Sequence, residues 1–262
     1  MFLTTDQLHV CNDAESLAQY AAVWLPRLIE RTLAEPERTA PFVLALSGGS
    51  TPKRMFQLLA EQPSGNVDWN KVVLVWGDER NVPPEHADSN FRMVRETLLD
   101  SIQIPEENIL AVPAPGDSAE KAASAYDALL RERLPAEEGQ PMPVIDCVLL
   151  GMGDDVHTAS LFPGTEALAE TKRLVVANHV PKLDTHRITF TAPFINAARN
   201  VAFLICGEAK KDALARLWHA EKDFNLYPAQ LIRPEKGQLW YLVDKPALGD
   251  TPLPETVMVQ ML

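Results

Sequence analysis

The chain reads as an α/β protein of three layers, Rossmann-like, with a mostly parallel sheet and helices on both faces. Two observations predict this. Short apolar runs alternate along the chain with stretches whose apolar residues recur at helical spacing, the pattern of a covered parallel sheet. The runs are also continuously apolar rather than alternating, as expected of strands buried on both faces. With 262 residues, 46% of them hydrophobic, the chain can bury a full core, and we expect one domain over residues 1–262.

The elements follow in order. Ala14 to Ala34 carries Leu17, Tyr20, Ala21, Trp24, Leu25, Leu28 and Ile29 at helical spacing, with Pro26 expected to kink or interrupt the helix. Strands are expected at Phe42 to Leu46, Val72 to Trp76, Ile145 to Leu150, Leu174 to Ala177, Ile188 to Thr191, Val201 to Cys206 and Leu239 to Val243. A second helix runs through Met55, Leu58 and Leu59, a third begins near Asp88 to Arg92, and another spans Ala122 to Arg133. Proline and glycine mark Ala111 to Asp117 and Pro135 to Pro143 as flanking loops.

Composition removes several function classes. A formal net charge of −12 repels phosphodiester backbones and anionic membranes, so we expect neither a nucleic-acid nor a membrane partner. No apolar run reaches the ~18 residues of a membrane span, and the first residues lack a targeting pattern. Cys11, Cys147 and Cys206 lie far apart without a CxxC pair and read as buried free thiols of a cytoplasmic protein. The six histidines show no HxH or HExxH spacing, so no metal site and no cofactor are expected. His179 and His186 bracket an expected loop. Ser160 is in no nucleophile elbow, and His157 stands only three residues from it.

Three strand ends carry the polar chemistry. Ser47-Gly48-Gly49-Ser50-Thr51-Pro52 joins a strand to a helix, with Thr51 suited to the N-cap and Pro52 to the first helical position. Its glycines, hydroxyls and free helix amides fit either a phosphate cradle or a tight turn. Trp76-Gly77-Asp78-Glu79-Arg80 ends another strand. Arg80 can clamp an anion, and Asp78 can bind a sugar hydroxyl, orient Arg80 or merely pair with it; Asp88 or Ser89 caps the helix beyond. The third run, Gly151 to Gly164, offers His157 as a general base, with Asp154 or Asp155 to fix its tautomer. Arg187 and Lys210 sit at later strand ends, while Lys211 points about 100° away from Lys210 around a helix. Together these cations predict a basic crevice, hence a small anionic ligand.

With these residues assembled, the chain resembles the 6-phosphogluconolactonase family, bacterial type, related to the glucosamine-6-phosphate deaminases. The stretches that carry the resemblance are Leu46 to Pro52, Trp76 to Arg80 with Asn90 and Arg92, Leu150 to Gly164, Arg187 to Thr191 and Gly207 to Lys210. It implies a metal-free hydrolase of the pentose phosphate pathway that opens 6-phospho-D-glucono-1,5-lactone, a phosphosugar lactone, to 6-phosphogluconate. The resemblance implies His157 as the base; beside it we expect Asp155 to orient the imidazole and Arg80 or backbone amides of the loops to stabilise the oxyanion. The resemblance implies that the basic residues and the glycine-rich loop bind the phosphate and lactone oxygens, and we expect the substrate and phosphate contacts to be Ser47, Gly48, Gly49, Ser50, Thr51, Asp78, Asn90, Arg92, Arg187 and Lys210. A monomer or a homodimer fits equally. Two positions are compared with the family's pattern. Val156 stands where the family usually has glycine, a strained residue if φ is positive there. Phe162 stands where the deaminases carry a catalytic glutamate, which disfavours isomerisation of an amino sugar. A non-catalytic sugar-phosphate sensor is the remaining alternative, though it would ordinarily carry a DNA-binding segment.

Overall fold

The structure is a computed structural model that describes residues 5–62, 67–113, 116, 118–134, 142–234 and 236–262. The N-terminal stretch Met1 to Thr4, residues 114, 115 and 117 of the loop expected at Ala111 to Asp117, and residues 135–141 of that expected at Pro135 to Pro143 lie outside the described residues.

Strand β1 (Asp6–Cys11) leads into α1 (Ala14–Leu33), β2 (Phe42–Leu46), α2 (Ser50–Ala60), β3 (Val72–Trp76) and β4 (Asp78–Arg80). Then come α3 (Asn90–Thr97), β5 (Ile109–Leu110), α4 (Ala119–Arg133), β6 (Cys147–Leu150), β7 (Val175–Val180) and β8 (Thr185–Phe190). The chain closes through α5 (Ala192–Asn196), β9 (Asn200–Ile205), α6 (Lys211–His219), β10 (Gln238–Asp244), α7 (Lys245–Leu248) and β11 (Val257–Met261). Eight strands form a parallel sheet in the order β11-β1-β10-β9-β6-β2-β3-β5, with helices around it. The fold class is the expected α/β one.

Four expectations need correction. The runs at Leu174 to Ala177 and Ile188 to Thr191 are strands, but they belong to a separate antiparallel sheet, β4-β8-β7. Asp78 and Arg80 therefore lie on a strand rather than in a loop, and Arg187 lies within β8. Helix α1 runs through Pro26 uninterrupted. A proline lacks the N–H that the carbonyl four residues earlier needs, and here the Gln62 side-chain amide supplies it, donating to the Ala22 carbonyl at 2.6 Å. Finally, Gly49, with φ at +106°, is the N-cap of α2, so Thr51 sits inside the first turn. At α3 the cap is Ser89, whose hydroxyl accepts from the Arg92 amide at 3.1 Å.

The sheet order positions the site. From β2 the chain moves outward to β3 and β5, then returns to β6 on the other side of β2. The carboxyl ends on either side of such a reversal flank a crevice where open α/β sheets bind ligands. Here those ends carry the Ser47 to Thr51 loop and the Gly151 to Gly153 turn.

Candidate active site

The residues at the ends of β2, β3, β6 and β9 line one continuous cleft. One part is lined by Ser47 to Pro52, Asn90, Gly151 to Gly153 and Cys206. The adjoining part is lined by Asp155, Ser160, Phe162, Lys182 and Arg187. Asp78, Arg80, His157 and Lys210 face both.

The turn after β6 is built tightly. The Gly153 amide donates to the His157 carbonyl at 2.9 Å, and the Val156 amide donates to the Gly153 carbonyl at 3.0 Å. A β-carbon on Gly153 would overlap the His157 ring, so only glycine fits. Val156 takes φ +63° and is fully buried; its carbonyl accepts from the Ala229 amide at 3.0 Å. The expected strain at this position is therefore present, and burial of the isopropyl group opposes it. Turned this way, the loop presents Asp155 and His157 on one side, with Asp155 Oδ1 2.5 Å from His157 Nδ1. Asp155 is thus the partner of His157, while Asp154 pairs with the Lys210 ammonium.

Lys182, which the sequence reading passed over, completes the arrangement. Its ammonium lies 3.0 Å from Asp155 Oδ2. Burial pushes the Asp155 carboxyl up, but hydrogen bonds from His157 and Lys182 together outweigh it and hold the group at about 2. The carboxylate is thereby ionised throughout the neutral range. Phe162 covers the imidazole, with ring centroids 3.9 Å apart and planes inclined at 22°.

The β4–β8 register sets Arg80 directly opposite Arg187. Like charges in that relation oppose pairing. Burial, then the Arg80 charge, lowers the Arg187 guanidinium from its ordinary value. Among the described residues neither guanidinium has a carboxylate partner within ion-pair distance. Arg80 instead donates to the Asp88 carbonyl at 3.2 Å, and Arg187 to the His186 carbonyl at 3.3 Å. Two such cations facing a cleft attract an anion.

Other expected residues have structural neighbours that define their part. Asp78 Oδ2 accepts from the Ser160 hydroxyl at 2.8 Å, which engages that serine, and it makes no bond to Arg80. Asn90 donates to the Asp78 carbonyl at 3.0 Å, and its side chain fills the space a β-carbon on Gly48 would need. Both glycines of the Ser47 to Thr51 loop are thus required, Gly48 for clearance and Gly49 for its φ. Thr51 Oγ1 lies 2.8 Å from Cys206 Sγ; Cys206 is only half-buried, at the cleft wall, whereas Cys11 and Cys147 are buried as expected. Lys211 pairs with Asp250, away from Lys210. His179 and His186 are cross-strand neighbours on β7 and β8, exposed, with rings 4.9 Å apart.

Arg92 is a correction. Its guanidinium bonds Glu96 at 2.6 Å and the Glu85 carbonyl at 2.8 Å, and it is not among the residues lining the cleft. Those bonds, to the next turn of α3 and to the loop before it, hold the guanidinium away from the cleft. Glu79 was the larger omission. Buried to 1% exposure, it accepts from the amides of Arg80, Asn90 and Phe91, each at 2.7 Å, and so fixes α3 against β4. Burial raises its carboxyl against those bonds. Its place between Asp78 and Arg80 was the only sequence signal of that role.

A family model described as glucosamine-6-phosphate isomerases/6-phosphogluconolactonase matches residues 12–241. A 6-phosphogluconolactonase of Nostoc sp. is 45% identical over 201 residues, 77% of this chain and 81% of the relative. One from Synechocystis sp. is 40% identical over 241 residues, 92% of this chain and 96% of the relative. Among solved structures, 6-phosphogluconolactonase from Leishmania guyanensis superposes with a TM-score of 0.83 at 27% identity, covering 95% of this chain and 99% of that one.

Proposed function

The chain belongs to the glucosamine-6-phosphate isomerase/6-phosphogluconolactonase family, and from that membership we propose that it is a 6-phosphogluconolactonase, a carboxylic ester hydrolase acting in the pentose phosphate pathway. Its substrate is 6-phospho-D-glucono-1,5-lactone and its product 6-phospho-D-gluconate. The observation that carries the reading is the Asp155–His157 pair, which stands in a cleft lined by Arg80, Arg187, Lys182 and Lys210 within a protein of net charge −12.

The Ser47 to Thr51 loop, with Lys210 and Arg187, binds the phosphate; its backbone amides and the first turn of α2 suit an anion. Asp78 and Asn90 border the sugar. His157 Nδ1 is engaged by Asp155, so Nε2 takes a proton from water as the water oxygen attacks the lactone carbonyl carbon. Arg80 stabilises the resulting oxyanion. The carbonyl carbon–ring oxygen bond then breaks, and the imidazolium returns its proton to the departing ring oxygen. No step calls on a metal ion. A general base of this kind contributes ~10²–10⁴-fold. The ring neighbour of His157 is Phe162 rather than a carboxylate, which favours hydrolysis over an isomerase reaction that needs a second acid/base there.

The test generates the δ-lactone from glucose 6-phosphate in situ and follows 6-phosphogluconate through a coupled dehydrogenase. Acceleration over background, lost in His157→Ala with substrate affinity little changed, is the expected result. Unchanged turnover in the variant would remove His157 from its role, and no acceleration by the unmodified protein would remove the activity.

A further inference from the structure

Three neighbours confine the His157 ring. Asp155 engages Nδ1, the Gly153 backbone sits against the Nδ1–Cε1 edge, and Phe162 covers a face at 3.9 Å. Phe162 is itself held: it is 7% exposed, and its carbonyl accepts from the Thr165 hydroxyl at 2.7 Å. The phenyl ring is therefore part of the cleft wall. A ring so enclosed cannot turn over to exchange its nitrogens without displacing Phe162.

Resting on the reading of His157 as the base, we infer that Phe162 is a positioning residue, whose stacked ring keeps His157 Nε2 aimed into the cleft. A flat partner restricts rotation of the imidazole about its last side-chain bond; an aliphatic group of similar volume fills the space but sets no ring orientation. The electron-rich face of Phe162 also favours the imidazolium that forms when the base accepts its proton. Both effects belong to the transition state rather than to substrate binding, so they act on kcat and leave KM alone.

The experiment compares Phe162→Leu with Phe162→Tyr, each checked for an unaltered thermal transition, by steady-state kinetics and by NMR of histidine-labelled protein, with His157→Ala assigning the signals. In the unmodified protein the ring current of Phe162 should displace the His157 ring-proton signals upfield, since the rings stack at 3.9 Å. Phe162→Leu should lose that displacement and lower kcat about tenfold, the scale set by small misplacements of a catalytic group, with KM unchanged. Phe162→Tyr should keep the displacement and recover most of kcat. If the leucine variant does not fold, Phe162→Met is judged by the same two readouts. A folded variant that loses the displacement but keeps kcat, or that changes only KM, overturns the inference. A protein with no lactonase activity defeats the functional reading instead, and the clamp is then decided by NMR alone: no upfield displacement in the unmodified protein overturns it.

Discussion

Asp155 Oδ1 lies 2.5 Å from His157 Nδ1, and the other oxygen of the same carboxylate takes the Lys182 ammonium at 3.0 Å. This relation assigns the Nδ1–H tautomer from the hydrogen-bond network and leaves Nε2 as the proton acceptor. Asp155→Asn keeps the size of the side chain but presents either an amide N–H or a weaker acceptor to the ring. It is expected to lower kcat roughly 100-fold, within the span of a general-base effect, with KM within about twofold. Coupled-assay kinetics check this, and a variant near full turnover would contradict it.

The same carboxylate links the site to acid stability. Burial opposes its ionisation, but the bonds from His157 and Lys182 hold it at about 2, below the ordinary aspartate value near ~3.9. A depressed folded value means the stabilisation is complete above about pH 4 and is lost as pH falls toward about 2. Urea titrations of the unmodified protein and Asp155→Asn between roughly pH 3 and 6 should therefore show a stability gap that is level at the upper end and narrows on acidification. A gap that widens in acid would contradict the assignment.

Val156 combines full burial with φ +63°. At an ordinary buried site valine-to-alanine costs less than valine-to-glycine, because alanine keeps a carbon and restricts the unfolded chain. A left-handed backbone reverses this, since any β-carbon there costs ~1–2 kcal/mol. We expect Val156→Gly to be more stable than Val156→Ala by about 1 kcal/mol and less stable than the unmodified protein, through lost burial. Denaturant titration of the three proteins gives the order; alanine above glycine would refute it.

Arg187 faces Arg80 across the β4–β8 ladder. Arg187→Met relieves that repulsion, so without ligand the variant should be as stable as the unmodified protein or more so, by less than ~1 kcal/mol. Its KM for the phosphorylated lactone should rise at least tenfold, the loss expected of a charge-assisted bond, while hydrolysis of unphosphorylated glucono-δ-lactone is little affected. An equal loss on both substrates would move Arg187 away from the phosphate.

The sequence by itself determined the parallel α/β architecture, because continuous apolar runs such as Phe42–Leu46 and Val72–Trp76 can be satisfied only inside a covered sheet. It also showed which strand ends carry the polar residues that line the cleft, since glycine, hydroxyl and charged residues follow those runs directly. The partly polar strand β1, second from the sheet edge, and the edge strand β11 escaped the reading, because Asp6–Cys11 becomes a strand only through its pairing with β10 and β11. Tertiary structure alone decided the rest. Asp154 and Asp155 are adjacent and alike in sequence, and only the left-handed turn at Val156 sends one to His157 and the other to Lys210. Lys182 comes from a hairpin 27 residues beyond Asp155, and Arg80 meets Arg187 through a register no local pattern encodes. Arg92 carries the same charge as Arg80 yet is held away from the cleft by Glu96 and the Glu85 carbonyl. Local preference fixes the backbone's repertoire, whereas the direction of a single side chain depends on which distant surface it packs against.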